Sequence, residues 1–165
     1  MLGLQVPKIF FLLIEVASMN EYQHILLAVD FSERCNYVAE KAKSLAYKYQ
    51  SKLSIIHVLD NIPMPDTNYG TVIELNDDSG YDLLEVEKAK LKQLGGYLGV
   101  SVDQQRLVWG LPKQEIIVFA NEQQADLIVL GSHGRHGLAL LLGSTVNAVL
   151  HHAMCDVMAV RLPTL

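Results

Sequence analysis

The segment running from Gly131 to Thr145, GSHGRHGLALLLGST, joins an apolar stretch (DLIVL, residues 126–130) to a helical one and carries four glycines within thirteen residues. Glycine lets backbone N–H groups come close to an anion, and a helix N-terminus adds free donors and the positive end of its dipole. Phosphate is the guest that suits this chemistry. Gly131 and Gly134 would shape the turn after the strand, with Ser132 between them, and Arg135 would add charge from the loop. Gly143 and the hydroxyls of Ser144 and Thr145 would open the helix. Without a ligand, the same glycines make a tight turn and a helix cap.

A second candidate lies far away in sequence. The run HILLAVD, residues 24–30, ends in a carboxylate, Asp30. In an open parallel sheet, ligands sit beyond the carboxyl ends of the strands where the winding reverses. If HILLAVD and DLIVL are neighbours there, Asp30 lies across the crevice from Gly131 and can accept hydrogen bonds from a ribose. Taken alone, it is a turn former or a helix cap. Val58 is a core residue by type, and in the same crevice it would meet a flat adenine ring. Val29 and Leu130, at their strand ends, complete the candidate nucleotide-contacting set.

Other chemistries find no apparatus. His133 and His136 are three apart but have no third ligand near them in sequence. Adjacent His151 and His152 point about 100° apart on a helix and cannot share one ion. The nucleophile elbow G-x-S-x-G and the P-loop G-x4-GK-[ST] are absent, and no G-x-G-x-x-G follows the first strand. No metal site and no catalytic constellation are expected.

The chain that must position these residues has 165 of them, enough for one ordinary domain. Half are hydrophobic and 19% charged, which calls for a packed core rather than disorder. The net charge of −5, without clustered Lys or Arg, argues against a general nucleic-acid or anionic-membrane surface, so any phosphate must be held locally. Cys35 and Cys155 match neither a redox pair nor a zinc spacing and read as buried free thiols, in keeping with a cytoplasmic protein. Near the start, Lys8 and the apolar run from Ile9 to Ile14 faintly resemble a signal peptide, but Glu15 ends a run far below the ~20 residues a membrane span needs. Residues 1–18 read as an extension ahead of one domain over residues 19–165.

HILLAVD, LSIIHVL (residues 53–59) and DLIVL read as strands buried on both faces of a parallel sheet. Ser32 is placed to cap the helix whose inward face is Val38, Ala39, Ala42, Leu45 and Ala46. Residues 60–80 read as a long loop without periodicity, and residues 81–98 as a helix weakened by Gly95 and Gly96 and ended by Gly99. Residues 102–109 read as a weaker strand suited to an edge, and Pro112 opens a helix with Ile116, Ile117 and Ala120 inward. A helix from Ser144 with Val146, Val149 and Leu150 inward, and a strand over residues 156–162, complete the chain. This alternation specifies a doubly wound α/β fold, with a five-stranded parallel sheet and about four helices.

In their order and identity, AVDFSE after the first strand, HV in the second, ADLIVLGSHGRHG, GST before the last helix and CDVMAV in the last strand resemble the universal stress protein family over nearly all of residues 20–162. The resemblance implies an adenine nucleotide alpha hydrolase-like fold and a cytoplasmic role in stress survival as a sensor or adaptor rather than an efficient enzyme. It also implies a homodimer joined through the last strand, whose apolar Val157, Met158, Val160 and Leu162 would otherwise form an exposed edge. In many members G-x2-G-x9-G-[ST] holds ATP, with Mg²⁺ carried on its phosphates. Here Gly131 and Gly134 keep the first spacing, and eight residues rather than nine precede Gly143. The alternative within the same fold is a dimeric interaction protein that binds no nucleotide.

Overall fold

The computed structural model describes residues 22–62, 68–132 and 142–162. The extension expected over residues 1–18 lies outside them.

Six strands form one sheet in the order β3-β4-β2-β1-β5-β6. They are β1 (His24–Val29), β2 (Lys52–Leu59), β3 (Thr71–Val72), β4 (Gln105–Trp109), β5 (Leu127–Gly131) and β6 (Asp156–Val160). Among the described residues, four α-helices accompany them: α1 (Cys35–Tyr49), α2 (Asp82–Leu98), α3 (Pro112–Glu122) and α4 (Ser144–His152). The five long strands are parallel, and β3 alone runs antiparallel, pairing Thr71 with Trp109 and Val72 with Val108. The five expected parallel strands are all present, and β3 adds a sixth, antiparallel one. Two residues of pairing inside a polar loop leave no periodic trace, yet they cover the otherwise open edge of β4.

The central strands carry apolar side chains on both faces because each face is covered by helices. Ile25, Leu27, Ile55, Leu59, Leu127 and Val129 pack in one core with Val38, Ala42, Leu84 and Leu91 of α1 and α2. The intervening Leu26, Ile56, Val58 and Ile128 pack with Ile116 and Phe119 of α3 and Val146 and Val149 of α4. Leu26, Ile56 and Ile128 are almost wholly buried, and burial of such a side chain contributes about 1.5–3 kcal/mol. A slip of one residue would exchange the two faces of a strand and break both cores, so the register is firmly set.

Several local expectations change. Ser32 does not cap α1 with its side chain; its carbonyl accepts the Cys35 N–H at 2.9 Å, and the helix begins three residues later. Leu150 is 44% exposed, so the inward stripe of α4 is Val146 and Val149. Residues 102–104 form a 3-10 turn before β4, and β6 ends at Val160. Gly99 does terminate α2, in the left-handed conformation at φ 71°.

Candidate functional site

The winding reverses between β1 and β5, which pair directly through Ile25 with Leu127 and Leu27 with Val129. Beyond the carboxyl ends of these strands lies a cavity of about 500 Å³. Asp30 and Gly131 both line it, from adjacent strands, as the crevice argument requires. Val29, Val58, Leu130, Gly143, Ser144 and Thr145 line it as well. Eight of the candidate residues thus meet around one space.

Asp30 is half-buried, and its Oδ1 accepts the Ser32 N–H at 3.0 Å. The turn-forming role and the cavity position therefore coexist, because a carboxylate has more lone pairs than one N–H uses. The next residue, Phe31, has φ 53°, a left-handed conformation that is costly for a bulky side chain and is kept only where surrounding contacts impose it. Its ring stands edge-on to His57 with centroids 4.6 Å apart.

Across the crevice, Gly143 precedes α4 with extended backbone (φ −60°, ψ 155°), and no side chain caps the helix. The first helical hydrogen bond is Asn147 N–H to the Gly143 carbonyl at 3.0 Å. The N–H groups of Ser144, Thr145 and Val146 precede it, as at any helix start, and these residues line the cavity together with Gly143. This donor set fits an anion. Ser132 is not part of the cavity wall. It is buried, donates its N–H to the Val160 carbonyl at 2.8 Å and accepts the Gly143 N–H at 3.1 Å, so it clamps β5, β6 and the start of α4 together. Gly134 and Arg135, with His133 and His136, lie outside the described residues.

Further wall residues went unsuspected in the sequence: Asp60 and Asn61 after β2, Pro112 and Ile116 at the start of α3, and His57. Asp60, Asn61 and Pro112 follow strands and His57 is near the end of β2, so the carboxyl-end rule would have flagged these four once the strand order was known. Val29, Val58 and Ile116 make an apolar slot suited to a flat ring. Cys35 adds to that wall, since burial pushes its thiol up to about 11 and keeps it neutral. Asp30 and Asp60 give the wall negative charge, and no Lys or Arg lines it among the described residues. Among the described residues, no cluster of His, Cys, Asp and Glu could hold a metal ion by itself, and no helix is long and apolar enough to cross a membrane. His151 and His152 are both exposed, their rings 6.5 Å apart.

Comparison with known proteins agrees with this geometry. The family model described as "Universal stress protein family" matches residues 21–161. Universal stress protein A homolog 2 of Coxiella burnetii is 38% identical over 145 residues, covering 87% of this chain and 98% of the relative. The solved universal stress protein UspA from Lactobacillus plantarum superposes with a TM-score of 0.62 at 26% identity, over 86% of this chain and 99% of that one. A universal stress protein solved in complex with cAMP superposes with a TM-score of 0.60 at 22% identity, over 86% and 98%. The architecture is the adenine nucleotide alpha hydrolase-like fold shared by these structures. With its β1–β5 crevice and a family match over nearly all of the described residues, the chain belongs to the universal stress protein family.

Proposed function

We propose that the cavity binds an adenine nucleotide, ATP with Mg²⁺ carried on its phosphates, and that the protein works as a stress-response sensor or adaptor rather than as an efficient enzyme. The observation that carries this reading is the convergence of an uncapped helix start at Gly143, Ser144 and Thr145 with Asp30 and Gly131 on one cavity. Phosphate oxygens would take the N–H groups and hydroxyls at the start of α4, the ribose would donate to Asp30, and the ring would lie against Val29 and Val58. The magnesium ion would screen the phosphates from Asp30 and Asp60. The cAMP held by a solved relative supports a ligand built of adenine, ribose and phosphate. The eight-residue spacing before Gly143 leaves every one of these donors in place.

The protein would act in the cytoplasm as a homodimer joined along residues 157–162. β6 is the outermost strand, and Met158 is 36% exposed on it. An open apolar edge is a template for another strand.

Nucleotide analysis of the protein as purified, followed by calorimetric titration with Mg·ATP and with cAMP, tests the reading. Co-purifying ATP or saturable binding supports it. No heat at millimolar ATP would leave the ligand-free dimeric interaction protein as the function.

A further inference from the structure

His57 projects from β2 toward α2, and both its ring nitrogens meet oxygen atoms. Nδ1 lies 2.9 Å from the Val29 carbonyl, and Nε2 lies 3.2 Å from Glu87 Oε2. A carbonyl only accepts, so Nδ1 carries a proton. A neutral ring would then leave an unprotonated Nε2 3.2 Å from a carboxylate oxygen, with both side chains largely out of water at 3% and 13% exposure. Two acceptors do not share a buried contact favourably, so a second proton belongs to this pair.

The ring brackets Asp30. It holds the carbonyl of the residue before it and packs against the ring of the residue after it, Phe31, whose backbone is strained. We propose that His57, held as an imidazolium by Glu87, is a positioning residue that fixes the Val29–Phe31 turn and so places Asp30 for ligand. This rests on the nucleotide reading of the cavity.

Among the described residues, the charged and titratable groups around the ring come from α2, from the ends of β1 and β2, and from α1. From α2, Glu87 is also bound by Lys90 at 2.7 Å through its other oxygen, and the Lys90 ammonium sits 6.0 Å from the Phe31 ring. From β1, α1 and the end of β2, Asp30, Cys35 and Asp60 line the same cavity. Loss of the shared proton would leave Glu87 repelling the Nε2 lone pair. The ring would then move and release the turn. Proton and nucleotide are thereby coupled, and the coupling is reciprocal.

The test uses the full chain with Mg·ATP as the probe. Ring ¹⁵N spectra at pH 7 are expected to show both nitrogens of His57 protonated, and a neutral ring overturns the proposal. Calorimetric titrations at pH 7.5–9.5, above the last phosphate ionisation near 6, are expected to weaken by about fivefold or more as the ring loses its proton. In Glu87→Gln an amide N–H can face a neutral Nε2, so the affinity should be flat over that range. His57→Asn, which keeps a donor toward Val29 but not the charge or the ring contact, should bind ATP at least about fivefold more weakly at pH 7.5. Unfolding midpoints of both variants would confirm that they are folded. Wild-type affinity that ignores the ring's proton loss, or an unchanged His57→Asn, overturns the proposal. No ATP binding by the parent would defeat the nucleotide reading instead, and the ring spectrum would still decide whether the pair holds its second proton.

Discussion

The side-chain amide of Gln105 occupies the space that a Cβ on Gly95 would need: a methyl group there would lie 2.0 Å from Nε2 and 2.4 Å from Cδ. The amide has little freedom to withdraw, because it is buried and donates to the Val100 carbonyl at 2.8 Å. A glycine that looks like a weakness in α2 is thus the contact that lets the helix lie on the start of β4. Its neighbour Gly96 has nothing within 4 Å of the same position.

The two glycines therefore respond in opposite directions to one substitution. Gly95→Ala should destabilise by about 1–3 kcal/mol through overpacking, lowering Tm by roughly 2–4 °C per kcal/mol. Gly96→Ala, exposed and helical, should stabilise by about 0.5–1 kcal/mol. Thermal unfolding followed by circular dichroism compares them, and equal shifts would contradict the packing argument.

At the cavity, Asp30→Ala should remove the ribose acceptor, and Gly143→Val should put a branched side chain where phosphates approach α4. Each should cost about 1–3 kcal/mol of binding, which is roughly five- to 150-fold in Kd. Calorimetry against the parent checks this. Equal affinity in all three proteins would move the nucleotide to another site.

The edge strand offers a test of assembly. Asp156 donates its N–H toward β5, to the Asp126 carbonyl at 3.2 Å, and the Val160 carbonyl accepts from Ser132 at 2.8 Å. By the two-residue alternation of a strand, Val157 and Ala159 turn their backbone groups to the open edge. Ala159→Pro deletes an outward donor while sparing the β5 ladder. Sedimentation should shift toward monomer, and an unchanged dimer would place the interface elsewhere.

Acid stability should depend on Glu85. The Ser79 hydroxyl at 2.6 Å, the Ser79 N–H at 3.0 Å and the Lys88 ammonium hold its carboxyl down, at about 2 against an ordinary value of 4.5. A carboxyl depressed by folding stabilises the native state fully above its unfolded value and loses that contribution as pH falls toward its folded one. Tm measured from pH 5 to pH 2 should therefore fall less steeply in Glu85→Gln than in the parent. Parallel curves would show that the Ser79 contacts do not persist in solution.

Much of this was legible in the chain itself. A strand covered on both faces must be apolar at successive positions, so β1, β2 and β5 announce themselves as HILLAV, SIIHVL and LIVLG. Anion chemistry is also written in residue type, since close backbone approach requires glycine and a helix start favours Ser and Thr. Gly131, Gly143, Ser144 and Thr145 could be named for that reason, and the strand-end rule joined Asp30 to them before any distance was known. What only the tertiary structure decided are the contacts whose partners are set by strand order and helix rotation. Asp60, Asn61 and Pro112 enter the cavity because β2 ends beside β1 and β4 ends beside β2. His57 meets Glu87, and Gln105 meets Gly95, because α2 lies across the sheet at one particular rotation. β3 exists only because β4 offers it an edge, since two residues carry too little periodicity to specify a strand by themselves. Local sequence encodes which backbone states and burials a residue tolerates, whereas long-range pairing depends on the sum of both cores, and no short window of the chain contains that sum.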